Sequence, residues 1–166
     1  MLGIAPDNTG RLPESDAARL REFGEAVQHI YGSDKNLAAK TTHTLNDSSA
    51  SAAVDNNTAT FWSAPARHAT LELRFDKPVT FDRTLTMEWL NEGQRIEEYS
   101  IEAWQNGAWK TLARAQAIGH KKIDIFPGVT AQRIRLNLLS TVGSAAIREF
   151  QIFNADRGAL SSTITK

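Results

Sequence analysis

An oxygen-rich segment and a distant carboxylate are the residues best suited to bind a ligand in this chain of 166 residues. The segment reads Asp-Asn-Asn-Thr-Ala-Thr-Phe-Trp over residues 55–62, and Glu149 lies near the end of the chain. Calcium takes six to eight hard oxygen ligands in a flexible geometry. Asp55, Thr60 and Glu149 would supply side-chain oxygens, and Asn57 with neighbouring carbonyl groups would complete the shell. The pattern predicts a structural Ca²⁺ site, although the same segment also suits a turn whose Asx side chains bond their own backbone.

Three further polar clusters lie between predicted strands, where binding residues are often mounted on a rigid scaffold. They cover residues 63–68, 88–95 and 119–122. For each basic side chain taken alone, simple solvation is an equally good interpretation. The clusters are therefore candidates for ligand contacts rather than a defined site.

The sequence contains no arrangement of residues that would support catalysis. His29, His43, His68 and His120 lack the spacing of a zinc motif, and no Gly-x-Ser-x-Gly nucleophile elbow occurs. Nineteen Lys and Arg balance nineteen Asp and Glu, which leaves no basic excess for nucleic acid. The absence of cysteine excludes disulfides and thiolate metal sites. We therefore expect a protein that binds rather than one that reacts, with no nucleic-acid partner.

The start of the chain has helical spacing. Pro13 suits the first helical position and Gly32 a C-terminal cap, so a helix is predicted from about Pro13 to Tyr31. No segment has the length and composition of a signal peptide or a membrane span. The predicted apolar stripe of the helix consists of Leu20, Phe23, Val27 and Ile30.

The apolar period changes to two after the helix, which predicts β-strands. Alternating runs occur at residues 71–75, 85–89, 99–103, 123–125, 134–138 and 147–153. Asn106-Gly107 predicts a two-residue hairpin, because both residues tolerate positive φ. Seven or eight short strands with closely spaced turns favour a mainly β fold, an antiparallel β-sandwich of the jelly-roll type.

The tryptophans divide between the core and the surface. Trp62 is predicted as a core aromatic, because a sandwich of this size needs large buried groups. Trp89 alternates with Leu85 and is expected to point inward. Trp104 shares a polar face and is expected to be partly exposed, where an indole could stack on a sugar.

Residues 55–62 resemble the D-G-N-x-x-T-x-W signature of discoidin, or coagulation factor V/VIII type C, domains, which are galactose-binding-like jelly rolls. Asn56 replaces the usual glycine and tolerates positive φ better than most residues. Residues 147–153 are similar to the closing I-x-E-F-x-x-F/Y strand of that family. The succession of residues 93–96, 109–112 and 118–131 resembles the discoidin module of glycoside hydrolase family 29 α-L-fucosidases, and residues 2–25 resemble the end of their catalytic barrel.

This resemblance covers nearly the whole chain and implies a domain organisation. Residues 1–33 would be the terminal segment and helix of an upstream catalytic barrel, residues 34–156 a discoidin-like jelly roll, and residues 157–166 a C-terminal tail. The two carboxylates of a retaining fucosidase belong to the missing barrel. No catalytic residue is carried over, and the chain alone is not expected to be an enzyme.

The resemblance also implies the ligands. Asp55, Thr60 and Glu149 match positions that hold calcium in many carbohydrate-binding members. Glycans ending in fucose or galactose are the expected partners, beside the barrel of the parent protein, which the resemblance places in the periplasm or outside the cell. The predicted sugar contacts are Arg67, His68, Glu88, Gln94, Arg95 and His120.

Two other functions fit the same fold. The jelly roll could be a structural buttress of the barrel without a sugar site. It could also be a cell-surface or lipid adhesion module, as in the coagulation-factor relatives. The tips at residues 91–93 and 105–107 are polar, which disfavours insertion into a membrane.

Overall fold

The computed structural model describes residues 5–40, 43–45 and 48–155. The chain separates into two compact units, of which the first ends at Lys35 and the second is Asn36–Ala155. The predicted C-terminal tail, residues 157–166, lies outside the described residues. Within the described part of the chain, no helix has the length and hydropathy needed to cross a bilayer.

Helix α1 is the main element of the first unit and runs Glu14–Tyr31. Pro13 is the N-cap rather than the first helical residue, and the Gly32 N–H donates to Gln28 O at the other end. Gly32 has an ordinary negative φ, but a Cβ there would lie 2.7 Å from both Gln28 O and Asp34 Oδ1. The close approach of the chain at this end therefore requires glycine. The helix has no buried residue, and Phe23 on its predicted stripe is 53% exposed.

The second unit is a mainly antiparallel β fold, as predicted. Its strands are β1 (His43–Leu45), β2 (Trp62–Ser63), β3 (Ala69–Glu88), β4 (Ile96–Gln105), β5 (Ala108–Ala115), β6 (Lys122–Thr141) and β7 (Ala146–Phe153). They pair in the order β2-β7-β3-β6-β4-β5, and β1 pairs with β3. Short 3-10 turns occur in this unit at Ala38–Lys40 and Ser48–Ala53, and another ends the first unit at Ser33–Lys35.

Two long strands connect the layers of the sandwich. The first half of β3 pairs with the second half of β6, where Leu71 faces Leu136. The second half of β3 pairs with the first half of β6 and with β7, so that Thr84 faces both Asp124 and Ile152. The register shifts between these halves. The sequence predicts each half as a separate strand, whereas the backbone continues through the irregular part and bends from one layer into the other.

The hairpin between β4 and β5 follows the prediction. Asn106 and Gly107 have φ of 52° and 79°, the combination that a type I′ turn requires. Trp104 consequently lies opposite Trp109. Their rings meet edge to face at 5.4 Å, and the Arg133 guanidinium lies 5.1 Å from each ring centroid. Both indoles are half-buried and in contact with the Arg133 guanidinium. The predicted partial exposure of Trp104 is therefore confirmed.

The core lies between the two layers. Trp62 is buried, as predicted, and Tyr99 donates its hydroxyl to Asp124 Oδ2 at 2.7 Å. Burial and this carboxylate both raise the pKa of the Tyr99 phenol, so it stays a neutral donor. The largest fully buried side chains are Trp62, Tyr99, Phe81, Phe150 and Phe153, with seven Leu and Ile.

Candidate functional site

The predicted metal ligands come together in the structure. Thr60 Oγ1 lies 2.8 Å from Asp55 Oδ2, 2.8 Å from Asn57 O and 3.4 Å from Ala52 O. A hydroxyl has a single proton, so it can donate to one of these acceptors at a time. The other oxygens then lie close to the Thr60 oxygen without receiving its proton. This group, with the Glu149 carboxylate described below, is called the oxygen cluster.

The loop that carries the oxygen cluster is held by its own side chains. Asp55 Oδ1 accepts from Asn57 N at 2.8 Å, and Asn57 Oδ1 accepts from Ala59 N at 3.1 Å. Asn56 has a φ of 60°, so this asparagine occupies the left-handed conformation for which glycine is common. Its Oδ1 accepts from Asn36 Nδ2 at 2.7 Å. The predicted Asx turn is therefore present, and it brings Asp55, Asn57 and Thr60 together.

Glu149 on β7 faces this loop from inside the sandwich. The residue is 0% exposed, and its Oε1 has no hydrogen-bond partner among the described residues. Burial and then the neighbouring Asp55 charge raise the pKa of Glu149 to about 7. Two carboxylates in this position need a shared proton or a cation between them.

The oxygen cluster fits a calcium ion by the chemistry of its donors. Two carboxylates, a hydroxyl and backbone carbonyls are the hard oxygens that calcium prefers. Within residues 5–40, 43–45 and 48–155, no group of three or more His, Cys, Asp and Glu side chains is placed to hold a metal. The donors of the oxygen cluster therefore suit calcium better than zinc, which favours nitrogen and sulfur ligands.

Four loops meet at one end of the sandwich, here called the loop end: residues 64–68, 89–95, 116–121 and 142–145. Backbone hydrogen bonds hold them together. Ala64 N donates to Ala145 O at 2.9 Å and Val142 N donates to Arg95 O at 2.8 Å. Thr141 Oγ1 donates to Arg67 O at 3.0 Å. The predicted sugar contacts lie on three of these loops or at their border.

The predicted contacts differ in what they can offer a ligand. Arg67, His68 and His120 are exposed at the loop end. Arg95 is held by Glu92, whose Oε2 accepts from Nη2 at 2.8 Å. A Cβ on Gly119 would lie 3.7 Å from Gln94 Oε1, so the Gln94 side chain reaches across to the loop of His120.

Glu88 has a different position from the other predicted contacts. It is buried, and its Oε1 accepts from Arg95 N at 2.6 Å and from Ile96 N at 3.0 Å. Its Oε2 accepts from Gly119 N at 3.2 Å, and its own N–H donates to Gly119 O. A carboxylate bonded in this way organises two loops, so we assign Glu88 a positioning role.

A cleft of about 310 Å³ opens beside Arg95. One side carries Phe61 and Trp89, the floor carries Ala64, Ala145 and Ala146, and the polar groups include Ser63, Glu92, Arg95 and Ser144. The guanidinium of Arg95 bridges the cleft, because Nη1 donates to Ser144 O at 3.1 Å.

Phe61 and Trp89 line one side of this cleft, which the sequence pattern does not reveal. These two residues, together with Arg148 in contact with the indole, are called the aromatic wall. The rings of Phe61 and Trp89 stack at 4.4 Å with an interplanar angle of 27°. The Arg148 guanidinium lies 4.7 Å from the Trp89 ring. Alternation with Leu85 predicts an inward Trp89, but a register shift between Met87 and Glu88 reverses the alternation. The inward prediction is therefore wrong: Trp89 is half-buried and faces the cleft.

Comparison with known proteins agrees with this geometry. Residues 36–150 match the model of the F5/8 type C domain. The chain belongs to this family. The match covers most of the second unit, and with it the oxygen cluster and the loop end. Membership of the F5/8 type C, or discoidin-like, family fits the observed β-sandwich.

Matches to longer proteins include α-L-fucosidases. The chain is 24% identical over 164 residues to the "Putative alpha-L-fucosidase 1" of Oryza sativa subsp. japonica, covering 92% of this chain and 31% of that protein. A glycoside hydrolase family 29 fucosidase of Ruminococcus gnavus, solved in complex with fucose, has a TM-score of 0.77 at 22% identity over 95% of this chain and 34% of its own. The chain thus spans about a third of the length of these relatives.

A smaller structure matches the sandwich alone. Chitosan-binding module 1 from a chitosanase/glucanase of Paenibacillus sp. IK-5 has a TM-score of 0.61 at 17% identity. The match covers 72% of this chain and 98% of that module. The shared fold therefore occurs as a separate module as well as within fucosidases.

Proposed function

We propose that this chain is the glycan-binding module of an α-L-fucosidase. The observation that supports this function most is the cleft at the loop end, which residues from three of the four loops line and which combines an aromatic wall with a fixed guanidinium. Sugar rings present apolar C–H faces together with hydroxyl groups, so an aromatic surface beside a few placed polar groups suits them. The relationship to fucosidases favours terminal fucose, or galactose, as the sugar.

Each group of the cleft has a distinct part in this proposal. The Arg95 guanidinium has five N–H donors, and those not directed at Glu92 or Ser144 can donate to sugar oxygens. The Glu92 carboxylate can accept from a neighbouring hydroxyl. Phe61 and Trp89 supply the surface for the C–H face, while Arg67, His68, Gln94 and His120 contact more distant parts of a glycan.

We propose further that calcium is the structural cofactor of the module. Asp55, Thr60 and Glu149 would hold the ion with their side chains, and Ala52 and Asn57 with their carbonyl oxygens. The ion would neutralise the two neighbouring carboxylates. It would also interact favourably with the oxygens around the Thr60 hydroxyl that do not receive its proton. It would join the loop before β2 to the last strand.

Replacing Arg95 by alanine is expected to weaken binding of methyl α-L-fucoside or methyl β-galactoside about tenfold, because it removes a hydrogen bond from a charged donor. Replacing His120 by alanine should weaken binding of an oligosaccharide that ends in either sugar by a similar factor, because it removes a polar donor from the more distant contacts. The free energy of unfolding should change by less than about 1 kcal/mol, as for other surface substitutions. Calorimetric titration and thermal unfolding measure the two quantities.

Arg114→Ala is the matched control, because Arg114 is exposed and pairs with Glu98 at 2.8 Å on β5, which borders β4 at the edge of the sheet. This variant should bind like the original chain. If Arg95→Ala and His120→Ala bind as tightly as Arg114→Ala, these residues are not in the site.

Hydrolysis is expected to require the rest of the parent protein. A retaining glycosidase needs two carboxyl groups about 5–5.5 Å apart on either side of the scissile bond. In the cleft, Glu92 is paired with Arg95, and the facing acids Asp55 and Glu149 form the oxygen cluster instead. Incubation with 4-nitrophenyl α-L-fucoside should release no nitrophenol above the buffer rate. Turnover that co-purifies with this chain would contradict the assignment.

A structural buttress is the second candidate function, and the observation that favours it is the surface of α1. The helix exposes Phe23 and Val27 and buries no residue, so it has an apolar stripe that a catalytic barrel in the parent could cover. A folded chain that binds neither sugar would favour this function over glycan binding.

A further inference from the structure

The oxygen cluster and the aromatic wall adjoin each other along the chain at two points. Thr60 of the cluster directly precedes Phe61 of the wall, and Glu149 directly follows Arg148. The two segments are also neighbours in the sheet, because Trp62 on β2 pairs with Ile147 on β7. Continuing this antiparallel register places residue 61 beside 148 and residue 60 beside 149. The pair of residues 60 and 149 therefore belongs to the oxygen cluster, and the neighbouring pair 61 and 148 belongs to the aromatic wall.

The wall has little else to fix it. Phe61 is 39% exposed, so core packing does not determine its orientation. Its stacking partner Trp89 lies on a loop, and the Nε of Arg148 is buried without a hydrogen-bond partner among the described residues. Stacking of this kind contributes about 0.5–1.5 kcal/mol. This energy is small compared with the electrostatic repulsion between the buried Glu149 carboxylate and the neighbouring Asp55 carboxylate.

Without a cation, the oxygens of the cluster repel one another. The Thr60 hydroxyl has more acceptors around it than protons to donate, and the Asp55 and Glu149 carboxylates face each other. Repulsion between Asp55 and Glu149 would move the loop that carries Asp55 and Thr60 away from β7. Because Phe61 follows Thr60 and Arg148 precedes Glu149, both residues of the wall would move with them. A bound ion would draw the same oxygens together.

We propose that cation binding in the oxygen cluster and glycan binding in the cleft are cooperative, because the ion fixes Phe61 and Arg148, which both contact the Trp89 ring. The inference rests on the proposed glycan function, which it extends by making the calcium ion a regulator of the sugar site. Such coupling is reciprocal, so the sugar must strengthen ion binding by the factor by which the ion strengthens sugar binding. A factor of about ten lies within the usual range.

The indole N–H signals of the four tryptophans report on the wall without any sugar. In ¹⁵N-labelled protein, with the Trp89 signal assigned from Trp89→Phe, calcium added to the metal-free protein should shift the Trp89 signal and leave those of Trp104 and Trp109 in place. Titration with methyl α-L-fucoside and methyl β-galactoside, in saturating calcium and in chelator, should then give about tenfold tighter binding with calcium.

Phe61→Ala should separate the two sites. The variant removes the link between Thr60 and the wall, so calcium should still raise its melting temperature but should no longer shift its Trp89 signal. Phe23→Ala is the matched control, since it deletes an exposed phenyl ring from α1, and it should keep the full calcium dependence.

The outcomes distinguish this inference from the glycan function. The coupling is overturned if calcium fails to bind, if it binds without moving the Trp89 signal, or if sugar affinity is the same with and without it. If calcium moves the Trp89 signal but neither sugar binds in either state, the glycan function fails, whereas control of the wall by the ion stands on the tryptophan signal alone.

Discussion

Calcium at a thousand times its dissociation constant is expected to raise the free energy of unfolding by about 4 kcal/mol, because an ion that binds only the native state stabilises it by mass action. Glu149→Gln should lose most of this response, since the amide removes the charge that the ion neutralises. Chemical unfolding at pH 8, with calcium and with chelator, measures both values. An equal response in the original chain and in the variant would contradict the assignment of Glu149 as a ligand.

When the metal is removed, Glu149→Gln should become more stable than the original chain, which is the reverse of the order expected with calcium bound. The pKa of Glu149 is raised from 4.5 to about 7 in the native state, so the native state binds its proton more tightly than the unfolded state does. This stabilisation is fully present below pH 4.5 and is lost as the pH rises through about 7. In chelator at pH 8, the free energy of unfolding of the original chain should therefore be about 2–3 kcal/mol lower than that of Glu149→Gln. A chain whose stability in chelator does not fall between pH 5 and 8 would contradict this account.

Removing the buried carboxylate of Glu88 is expected to cost about 3 kcal/mol or more, because Glu88→Ala leaves the N–H groups of Arg95, Ile96 and Gly119 without their acceptor. The loops at residues 89–95 and 116–121 should separate, so sugar binding should be lost together with stability. Chemical unfolding and calorimetry of the folded fraction measure the two effects.

Two other variants test whether the carboxylate oxygens are responsible. Glu88→Gln retains one acceptor oxygen for Arg95 and Ile96 but turns its NH₂ group toward the Gly119 N–H, so its cost should be intermediate. Glu92→Ala removes an exposed carboxylate whose ion pair contributes at most about 1 kcal/mol. If Glu88→Ala is as stable as Glu92→Ala, Glu88 does not organise the loop end.

The sequence was sufficient for the features that depend on local chemistry. The mainly β fold followed from alternation, and the φ angles of Asn56 and Asn106 followed from the tolerance of asparagine for the left-handed region. The oxygen cluster could be predicted because the loop that carries most of it is nearly contiguous in sequence and the closing strand has its own pattern.

The features that it did not predict depend on register. A single shift between Met87 and Glu88 decides that Glu88 is buried and that Trp89 faces the cleft, and a strand of alternating residues does not encode such a shift. The continuity of β3 and β6 through their irregular centres was missed for a similar reason, since turn-like residues at the centre of a long strand suggest a loop. Residue type alone did not distinguish Glu88, which holds backbone amides, from the exposed candidates around it.

The pairing of β2 with β7 has a consequence for how the protein folds. Thr60 lies just before β2 and Glu149 lies on β7, so the proposed calcium site is not complete in a growing chain until β7 has been synthesised and docked. An ion that binds only after this late step stabilises the finished native state and not the transition state that precedes it. Calcium should therefore act mainly by slowing unfolding, and it should leave the rate of folding almost unchanged.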